Sequence, residues 1–262
     1  FRRVLFRSDP TGAMQMGLGA DDLVAAVPEL ARLARIEAET VSRVGSHSLT
    51  FDQLHALARR IGKLKADGVV ITQGTDTLEE TSFLLDLTLE TKVPVVVTAA
   101  MRNPSLTSAD GPGNLLAAVR VACDPWMRRH ARDLGVVVTM LDEVYAAADV
   151  LKIHPTRVNA FASPQTGPLA ALVEDRVVPM SLPVREAIVA ARRKLAPAAS
   201  GKAAPVATFW MTVDDDGRMV DAMLQAPRRL GYRGALVGAM GGGHTSEGAV
   251  KAIYRLAAAM PT

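Results

Sequence analysis

Apolar and polar positions follow two alternating periods along the chain, and this alternation predicts short strands separated by helices. The runs at residues 68–72, 94–99 and 135–141 are almost wholly apolar, as strands buried in a parallel sheet are. Between them, apolar residues at helical spacing predict helices over residues 77–89 and 112–123. Because strands that alternate with helices of this length pair in parallel, we expect an α/β fold: a three-layer sandwich with a mostly parallel sheet.

The residues ahead of this pattern predict a loop followed by one further repeat of helix and strand. Residues 9–19 contain three glycines and no apolar period, which is typical of a flexible loop. A helix is predicted over residues 21–34, a strand over residues 35–46 from its alternation, and a second helix over residues 51–66.

The composition changes near residue 184, and this change predicts a second, smaller domain. Residues 184–204 are rich in Arg, Lys, Ala and Pro and predict a linker that contains some helix, after a first domain over residues 9–183. Beyond the linker, the apolar runs PVATFWMTV and GALVGAM predict strands, and helices are predicted near residues 218–229 and 246–259. Since residues 205–262 end directly after a helix, we expect this α/β domain to be truncated.

The charge balance gives no support for a nucleic-acid partner. The formal net charge is +3, but Arg2, Arg3 and Arg7 all lie within the first eight residues, and the remaining basic residues equal the 27 acidic ones. The string FRRVLFRS has neither the apolar centre of a signal peptide nor the pattern of a transit sequence. We therefore predict that residues 1–8 are a non-native scar.

The rest of the composition favours a globular enzyme without a metal or a cofactor. With 262 residues and 49% hydrophobic side chains, the chain can bury a large core, and no apolar run approaches the ~18 residues of a membrane span. We expect a soluble protein of the cytoplasm or the periplasm. The single cysteine, Cys123, fits a buried structural thiol. The histidines show no spacing typical of metal ligands; they are His47, His55, His130, His154 and His244.

One stretch, DGVVITQGTDTLEET at residues 67–81, carries the chemistry. An apolar strand leads into a turn at residues 73–76 and then into a helix, whose start is indicated by a capping box of Thr77 and Glu80. Thr75 and Asp76 therefore lie at the carboxyl end of a parallel strand, where open α/β sheets bind ligands and free N–H groups can hold an anion. The alternative is that Thr75, Asp76 and Thr77 only cap the helix.

This stretch and three others resemble the bacterial-type L-asparaginases and their glutaminase relatives. The strings are ITQGTDTLEET, TAAMRNPSLTSADGPGNLLAAV, DVLKIHPTRVNAF and PQTGPLAAL, in the order and spacing of that family, and the resemblance covers most of residues 18–170. It implies an amidohydrolase that uses threonine hydroxyls to convert L-asparagine and water to L-aspartate and ammonia, with glutamine as a candidate second substrate. It also implies a homotetramer, a dimer of dimers.

The resemblance assigns catalytic roles to three residues. Thr75 corresponds to the second of the family's two threonines, Asp76 to the carboxylate that binds the substrate α-ammonium and helps to activate that threonine, and Lys152 to the lysine that completes the set. These roles agree with elementary chemistry. A threonine hydroxyl is a weak nucleophile near neutral pH, and a lysine beside a carboxylate can relay its proton.

The resemblance also assigns residues that bind the substrate. Ser46 matches the residue that receives the α-carboxylate, and His47 replaces the usual glutamine or other polar neighbour of Ser46. The carbonyl of Ala100 matches the group that approaches the side-chain amide. Asp110 is interpreted as the cap of the helix that starts near residue 112. Arg102 either braces loops around the site or lies at an interface.

The sequence departs from the family pattern at four places. No TGGTI-type strand, which supplies the family's first threonine as the covalent nucleophile, precedes the Asp9 loop, and that loop has no tyrosine. Gln73 replaces a histidine and is expected to support the turn. Residues 241–244, GGGH, replace an Asn-containing turn, and a phosphate-cradling turn is the alternative there. We expect the chain as given to be inactive because it lacks the nucleophile.

Two other functions remain open from the sequence. One is a non-catalytic amino-acid-binding relative that keeps Ser46 and Asp76 without ever having had the nucleophile. The other is an amidase subunit that supplies ammonia in a tRNA-dependent amidotransferase.

Overall fold

The chain divides into two compact units, Phe1–Ser200 and Gly201–Thr262. The structure is a computed structural model that describes residues 19–90, 92–195, 204–225 and 230–259, together with the backbone of residues 6–8 and 14–16. The predicted loop at residues 9–13 and 17–18, the linker residues 196–203 and the end of the chain at residues 260–262 lie outside the described residues.

The described strands of the first unit are β1 (Phe6–Ser8), β2 (Met14–Met16), β3 (Val69–Thr72), β4 (Val95–Thr98), β5 (Val136–Met140), β6 (Glu143–Ala146), β7 (Leu151–Lys152), β8 (Phe161–Ala162), β9 (Ala170–Val173) and β10 (Arg176–Pro179). Six of them form the central sheet, in the order β10-β9-β6-β5-β4-β3, and β1 with β2 and β7 with β8 form two short antiparallel pairs. The helices are α1 (Ala20–Ala25), α2 (Leu30–Leu33), a 3₁₀ turn (Ser46–Ser48), α3 (Phe51–Ile61), α4 (Leu78–Thr88), α5 (Gly111–Cys123), α6 (Pro125–Arg129), α7 (Ala131–Leu134) and α8 (Glu186–Leu195).

Strands β3, β4 and β5 are parallel, as their apolar sequences predict, and the remaining pairs are antiparallel. The direction changes at a two-residue hairpin between β5 and β6, where Leu141 and Asp142 have φ values of 47° and 63°. Positive φ at both central residues matches the hairpin turn whose twist fits two neighbouring strands. The parallel half thus carries the βα connections, and the antiparallel half extends the sheet away from β3.

Helices cover both faces of the sheet, so the three-layer α/β fold is confirmed. On one face, Val95 and Val97 pack in a cluster with buried residues of α3 and α4. On the other face, Val96 packs with small residues of α5, among them Ala118 and Val121. Successive residues of a strand point to opposite faces, and a strand buried on both faces must therefore be apolar throughout.

Three sequence expectations about the early elements are corrected by the structure. The helix predicted over residues 21–34 is interrupted between α1 and α2 near Pro28, because proline has no N–H to continue the ladder. Helix α3 ends at Ile61, before Gly62, and does not continue to residue 66. Within the predicted loop, residues 14–16 form β2, which pairs antiparallel with β1.

The strand predicted over residues 35–46 is absent from the described structure, where this segment has no ladder partner. Among the described strands, β3 ends the sheet on this side. Val69 N and Gln73 N donate to carbonyls of the β4 side, which leaves the backbone groups of Val70 and Thr72 directed away from β4. An alternating sequence forms a strand only where another backbone pairs with it, and none of the described strands does so here.

A cavity of about 180 Å³ lies beside this edge of β3. Its walls are formed by Val41 and Val44, which lie between α2 and the 3₁₀ turn, by α3, and by the end of β3.

The second unit is a parallel strand pair covered by two helices. Strand β11 (Val206–Trp210) pairs in parallel with β12 (Gly234–Gly238), and the helices are α9 (Arg218–Gln225) and α10 (Glu247–Ala259). Its core is formed by residues such as Val220, Met223 and Leu256. These elements agree with the predicted βαβα order; residues 226–229, which were predicted to extend α9, lie outside the described residues.

Helix α8 occupies about half of the predicted linker and packs against α4 in the first unit. The fully buried carboxylate of Asp86 in α4 makes a bidentate ion pair with Arg185, with both N–O distances at 2.8 Å. It also accepts the N–H of Val136 at 2.9 Å, and Arg192 of α8 donates to the Asp86 carbonyl at 2.6 Å. Gly135 has no Cβ to obstruct this network; an added Cβ would lie 2.2 Å from the Arg185 guanidinium.

The substitution Asp86→Ala should lower the free energy of unfolding by about 3–5 kcal/mol, because it leaves buried guanidinium groups and a strand N–H without their partner. Urea denaturation followed by circular dichroism measures this. The matched control is Glu37→Ala at the exposed Arg35–Glu37 pair, where a change within about 1 kcal/mol is expected. A loss at Asp86 no larger than at Glu37 would contradict the structural role of the buried network.

Candidate active site

The carboxyl end of β3 positions the predicted catalytic turn. The last ladder bond of β3 runs from Gln73 N to Thr98 O at 3.1 Å, and the chain then turns through Thr75 and Asp76 into α4. The predicted capping box of Thr77 and Glu80 does not form. The Thr77 hydroxyl instead donates to the carbonyl of Ser46 at 2.9 Å, and no side chain caps α4.

Lys152 of β7 contacts this turn through its side chain. Its Nζ donates to Thr75 Oγ1 at 2.9 Å and lies 3.4 Å from Asp76 Oδ1. The lysine side chain is only 17% exposed, whereas the Asp76 side chain is 50% exposed. The Lys152 ammonium is therefore largely enclosed where it donates to the Thr75 hydroxyl, whereas the Asp76 carboxylate remains accessible to solvent.

Ser46 joins the preceding segment to the same turn. It is buried, and its Oγ accepts the N–H of Asp76 at 3.2 Å. Together with the bond from Thr77 to the Ser46 carbonyl, this contact holds the 3₁₀ turn Ser46–Ser48 against the start of α4. Because the Ser46 oxygen accepts from Asp76, its hydroxyl proton remains available to donate to a carboxylate ligand.

His47 lies on the exposed side of this cluster. Its Nδ1 is 3.5 Å from Asp76 Oδ2, and the two side chains are 63% and 50% exposed. Asp76 thus has Lys152 beside one carboxylate oxygen and His47 beside the other.

Ala100 is placed beside the cluster by the pairing of β4 with β3. It is half-buried and packs against the apolar cluster that includes Leu115 and Val119. The structure therefore joins Ser46, His47, Thr75, Asp76 and Lys152 by polar contacts and places Ala100 at the neighbouring strand end.

The loop after β4 is held by Asp110, which does not act as the predicted helix cap. Its carboxylate accepts the backbone N–H groups of Met101 and Arg102 at 2.9 and 2.8 Å and the amide of Asn114 at 3.0 Å. No side-chain bond from Asp110 caps α5. The Arg102 side chain donates to the Ser108 carbonyl at 3.1 Å and so stabilises this loop, in agreement with the first of its two predicted roles.

Gln73 occupies a buried position next to the cavity beside β3. Among the described residues, its side-chain Nε2 has no hydrogen-bond partner, and neither has Thr72 Oγ1. The expected support of the turn by the Gln73 side-chain nitrogen is thus not seen, and the turn is held through the backbone of Gln73.

Tyr145 fixes the strand that pairs with Lys152. Its hydroxyl contacts the Glu143 carboxylate and the carbonyl of Phe161, and Phe161 of β8 is the register partner of Lys152. Burial, together with the hydrogen bond to Glu143, raises the pKa of Tyr145 well above its usual range. Tyr145 therefore stays protonated near neutral pH and acts as a structural anchor here.

Glu79 is a site residue that the sequence did not indicate. Its carboxylate accepts the backbone N–H of Lys152 and so fixes the strand position from which the lysine reaches Thr75. In the sequence, Glu79 is one of two acidic residues in the first turn of a helix, where carboxylates are favoured by the helix dipole alone. The capping-box spacing singled out Glu80, and no local pattern indicated Glu79.

Neither a metal site nor a membrane-spanning helix is found in the described part of the chain. No three His, Cys, Asp or Glu side chains come together there in an arrangement that could hold a metal ion. None of its helices is long and apolar enough to cross a bilayer. In the second unit, the GGGH turn contains Gly241 and Gly243 at positive φ and closes through a bridge between Met240 and His244.

Comparison with known proteins adds family information to this geometry. The family model described as "Asparaginase, N-terminal" matches residues 5–184, beginning inside the segment that was predicted to be non-native. A glutaminase-asparaginase of Pseudomonas fluorescens biotype A is 41% identical over 172 residues, which cover 64% of this chain and 46% of the relative. L-asparaginase 2 of Escherichia coli is 39% identical over 171 residues, covering 64% and 48%.

A solved structure supports the same relationship. A probable cytoplasmic L-asparaginase from Campylobacter jejuni aligns with a TM-score of 0.79 and 32% identity, covering 90% of this chain and 73% of that one. The chain spans about half the length of the curated relatives that it matches.

The contact between Glu79 and the backbone of Lys152 can be tested without measuring turnover. In the full chain, Lys152 should react slowly with acetic anhydride, because it is largely buried and donates to Thr75. Glu79→Ala should raise its labelling severalfold, as measured by peptide mass spectrometry at pH 8, while Glu79→Gln, which keeps an acceptor oxygen, should stay closer to the parent. Exposed Lys65 is the internal control. Equal labelling of Lys152 in all three proteins would exclude this role of Glu79.

Proposed function

Since the chain belongs to the asparaginase family, we propose that the cluster around Lys152 is the substrate site and threonine-activating centre of an amidohydrolase. The reaction is the hydrolysis of L-asparagine to L-aspartate and ammonia. The observation that carries the proposal is the position of Lys152 Nζ, 2.9 Å from Thr75 Oγ1 and 3.4 Å from Asp76.

The charges around the cluster fit an α-amino acid. The half-exposed carboxylate of Asp76 is suited to the α-ammonium, and the free hydroxyl proton of buried Ser46 is suited to the α-carboxylate. The side-chain amide of the ligand would then extend toward Thr75 and the end of β4, where Ala100 lies. In this proposed arrangement Asp76, Ser46 and Ala100 take the roles that the family resemblance implies.

Lys152 lowers the free energy needed to deprotonate the Thr75 hydroxyl. Its ammonium donates to Thr75 Oγ1 and favours the developing alkoxide, and Asp76 offsets the charge of the lysine. In the proposed reaction a threonine oxygen adds to the amide carbon, the hydroxyl proton passes to the leaving nitrogen, and the C–N bond breaks to release ammonia. Water then cleaves the resulting ester to give aspartate and restore the hydroxyl.

The family resemblance assigns the acyl-carrying oxygen to a threonine of a TGGTI-type strand. We propose that such a strand reaches the site along the free edge of β3, through the cavity lined by Val41, Val44 and Ile71. The outward-facing backbone groups of Val70 and Thr72 would pair with it. Thr75 would then serve the deacylation half of the reaction as the activated partner.

The remaining properties of the proposed enzyme follow from its relatives. Relatives are named both L-asparaginase and glutaminase-asparaginase, so we propose glutamine as a second substrate. They are also named both periplasmic and cytoplasmic, and either compartment is compatible with the proposal. The homotetramer, a dimer of dimers, is proposed on the family resemblance.

Binding of L-aspartate to the full chain tests the substrate site directly. Isothermal titration calorimetry should detect binding by the parent protein, and Asp76→Ala should weaken it by about 2–5 kcal/mol, because the α-ammonium loses its charge partner. The control is Asp67→Ala, whose carboxylate is 91% exposed and pairs with Arg128 away from the turn. Unchanged affinity in Asp76→Ala would exclude the assigned role of Asp76.

Catalysis is tested by adding a strand that ends in Thr-Gly-Gly-Thr-Ile ahead of residue 9. The extended chain should gain both ammonia release from asparagine and a higher melting temperature, while a strand ending in Ala-Gly-Gly-Ala-Ile should raise only the melting temperature.

The joint action of Thr75 and Lys152 is tested in the extended, active chain. Thr75→Val and Lys152→Met should each lower kcat by about as much as the double variant does, because residues that act in one step are not additive. Ammonia release from asparagine measures kcat for all three variants.

Three other outcomes would change the proposal. Full turnover by the chain without the added strand would mean that Thr75 itself carries the acyl group. Multiplicative losses in the two single variants would argue against a shared step. Aspartate binding without ammonia release from the extended chain would favour the non-catalytic amino-acid-binding function.

A further inference from the structure

His47 lies where it can compete with a ligand's ammonium group. Its Nδ1 is 3.5 Å from Asp76 Oδ2, while Lys152 Nζ is 3.4 Å from Asp76 Oδ1. The two oxygens of the carboxylate therefore face different cations. Lys152 is largely enclosed and is fixed through its own backbone bond to Glu79, so the oxygen on its side is not open to a ligand.

The oxygen beside His47 is the accessible one. The imidazole is 63% exposed and forms part of a turn that is otherwise made of serines, with no other titratable group on that element. Among the described residues, the charged groups paired with Asp76 are His47 and Lys152 alone. An incoming α-ammonium must therefore take the Oδ2 side and displace, or lie against, the imidazole.

We propose that His47 makes ligand binding depend on pH: its imidazolium form occupies the Asp76 oxygen that the α-ammonium of the amino acid requires. This inference rests on the proposed function, in which Asp76 binds that ammonium. When His47 is protonated, the ligand must displace a cation. When His47 is neutral, the oxygen is free and the imidazole can accept a hydrogen bond from the ammonium.

The direction of the effect follows from the charges. Histidine changes its charge between pH 5 and 8, so lowering the pH through this range converts a neutral neighbour into a competitor and weakens binding. Two cations cannot share one carboxylate oxygen without repulsion, and ligand binding should therefore expel the imidazole proton. The affinity rises with pH, and proton release accompanies binding.

Glutamine, which the family resemblance gives as one of the polar residues usual at this position, provides a neutral replacement for His47. Its amide is neutral at every pH of interest and keeps a hydrogen-bond acceptor. His47→Gln should therefore lose the pH dependence while an acceptor for the ammonium stays beside Asp76. His47 is mostly exposed, so the substitution should leave the melting temperature unchanged within the effect of an ordinary surface replacement.

A second histidine–carboxylate pair serves as the matched control. His130 Nδ1 lies 3.3 Å from Asp133 Oδ2 in the segment that leads into the amino end of β5. Since β5 runs in the same direction as β3, this pair lies at the edge of the sheet opposite the turn at Asp76. His130→Gln should therefore leave both the affinity for the ligand and its pH dependence unchanged.

The test is calorimetric titration of the full chain with L-aspartate, whose carboxyl groups stay ionised, at pH 5.5 and 7.5. The dissociation constant should fall severalfold between these values. Repeating the titration near pH 6.5 in two buffers of different ionisation enthalpy should reveal proton release on binding. In His47→Gln the dissociation constant should change less than twofold with pH, and no proton should be released.

Succinamate, which has the amide and one carboxylate but no α-ammonium, separates competition from a general pH effect. Its affinity should not rise with pH. Equal pH dependence for both ligands, or pH dependence that persists in His47→Gln, would overturn the inference while leaving the proposed substrate site intact. Absence of aspartate binding at either pH would instead overturn the proposed function itself, and the inference with it.

Discussion

The contact between Lys152 Nζ and Thr75 Oγ1 is the interaction on which the candidate site depends. It joins a short strand, β7, to a turn that lies 77 residues earlier in the chain. Each end is held independently of the contact. The Thr75 turn follows a buried parallel strand, and β7 is held through the bond from Lys152 N to Glu79 and through the anchoring of β8 by Tyr145. The lysine therefore meets the hydroxyl with little freedom to move away, which is what activation of a weak nucleophile requires.

Two kinds of charged group serve different purposes in the first unit. Asp86 is fully buried, and its ion pair with Arg185 connects α4, β5 and the segment that leads into α8. Asp76 is half-exposed, and we propose that the imidazole beside it gives way to the ammonium of a ligand. Both carboxylates belong to the α4 region, one just before the helix and one near its end. Full burial makes Asp86 structural, whereas the exposure of Asp76 leaves its carboxylate available for binding.

The sequence predicted those features that depend on local pattern. The apolar strands β3, β4 and β5 and their parallel pairing follow from runs that only a doubly covered sheet can bury. The turn at Thr75 and Asp76 was placed by the same strand, and Lys152 was placed by the resemblance of its motif. The predictions failed where backbone partners or distant side chains decide the outcome. Residues 35–46 alternate like a strand but find no partner among the described strands, and Asp110 holds the Met101 loop where a helix cap was expected. Glu79 contacts a residue far along the chain, and no spacing within α4 could indicate that.

A crystal structure of the full chain with L-aspartate bound is the most direct test of the central claim that these residues form an amino-acid site at the carboxyl end of β3. The account predicts the α-ammonium within hydrogen-bond distance of Asp76, the α-carboxylate at Ser46, and the side-chain carboxylate directed toward Thr75 Oγ1 with Lys152 still in contact. Aspartate bound elsewhere, or bound at this turn with its side chain directed away from Thr75, would contradict it.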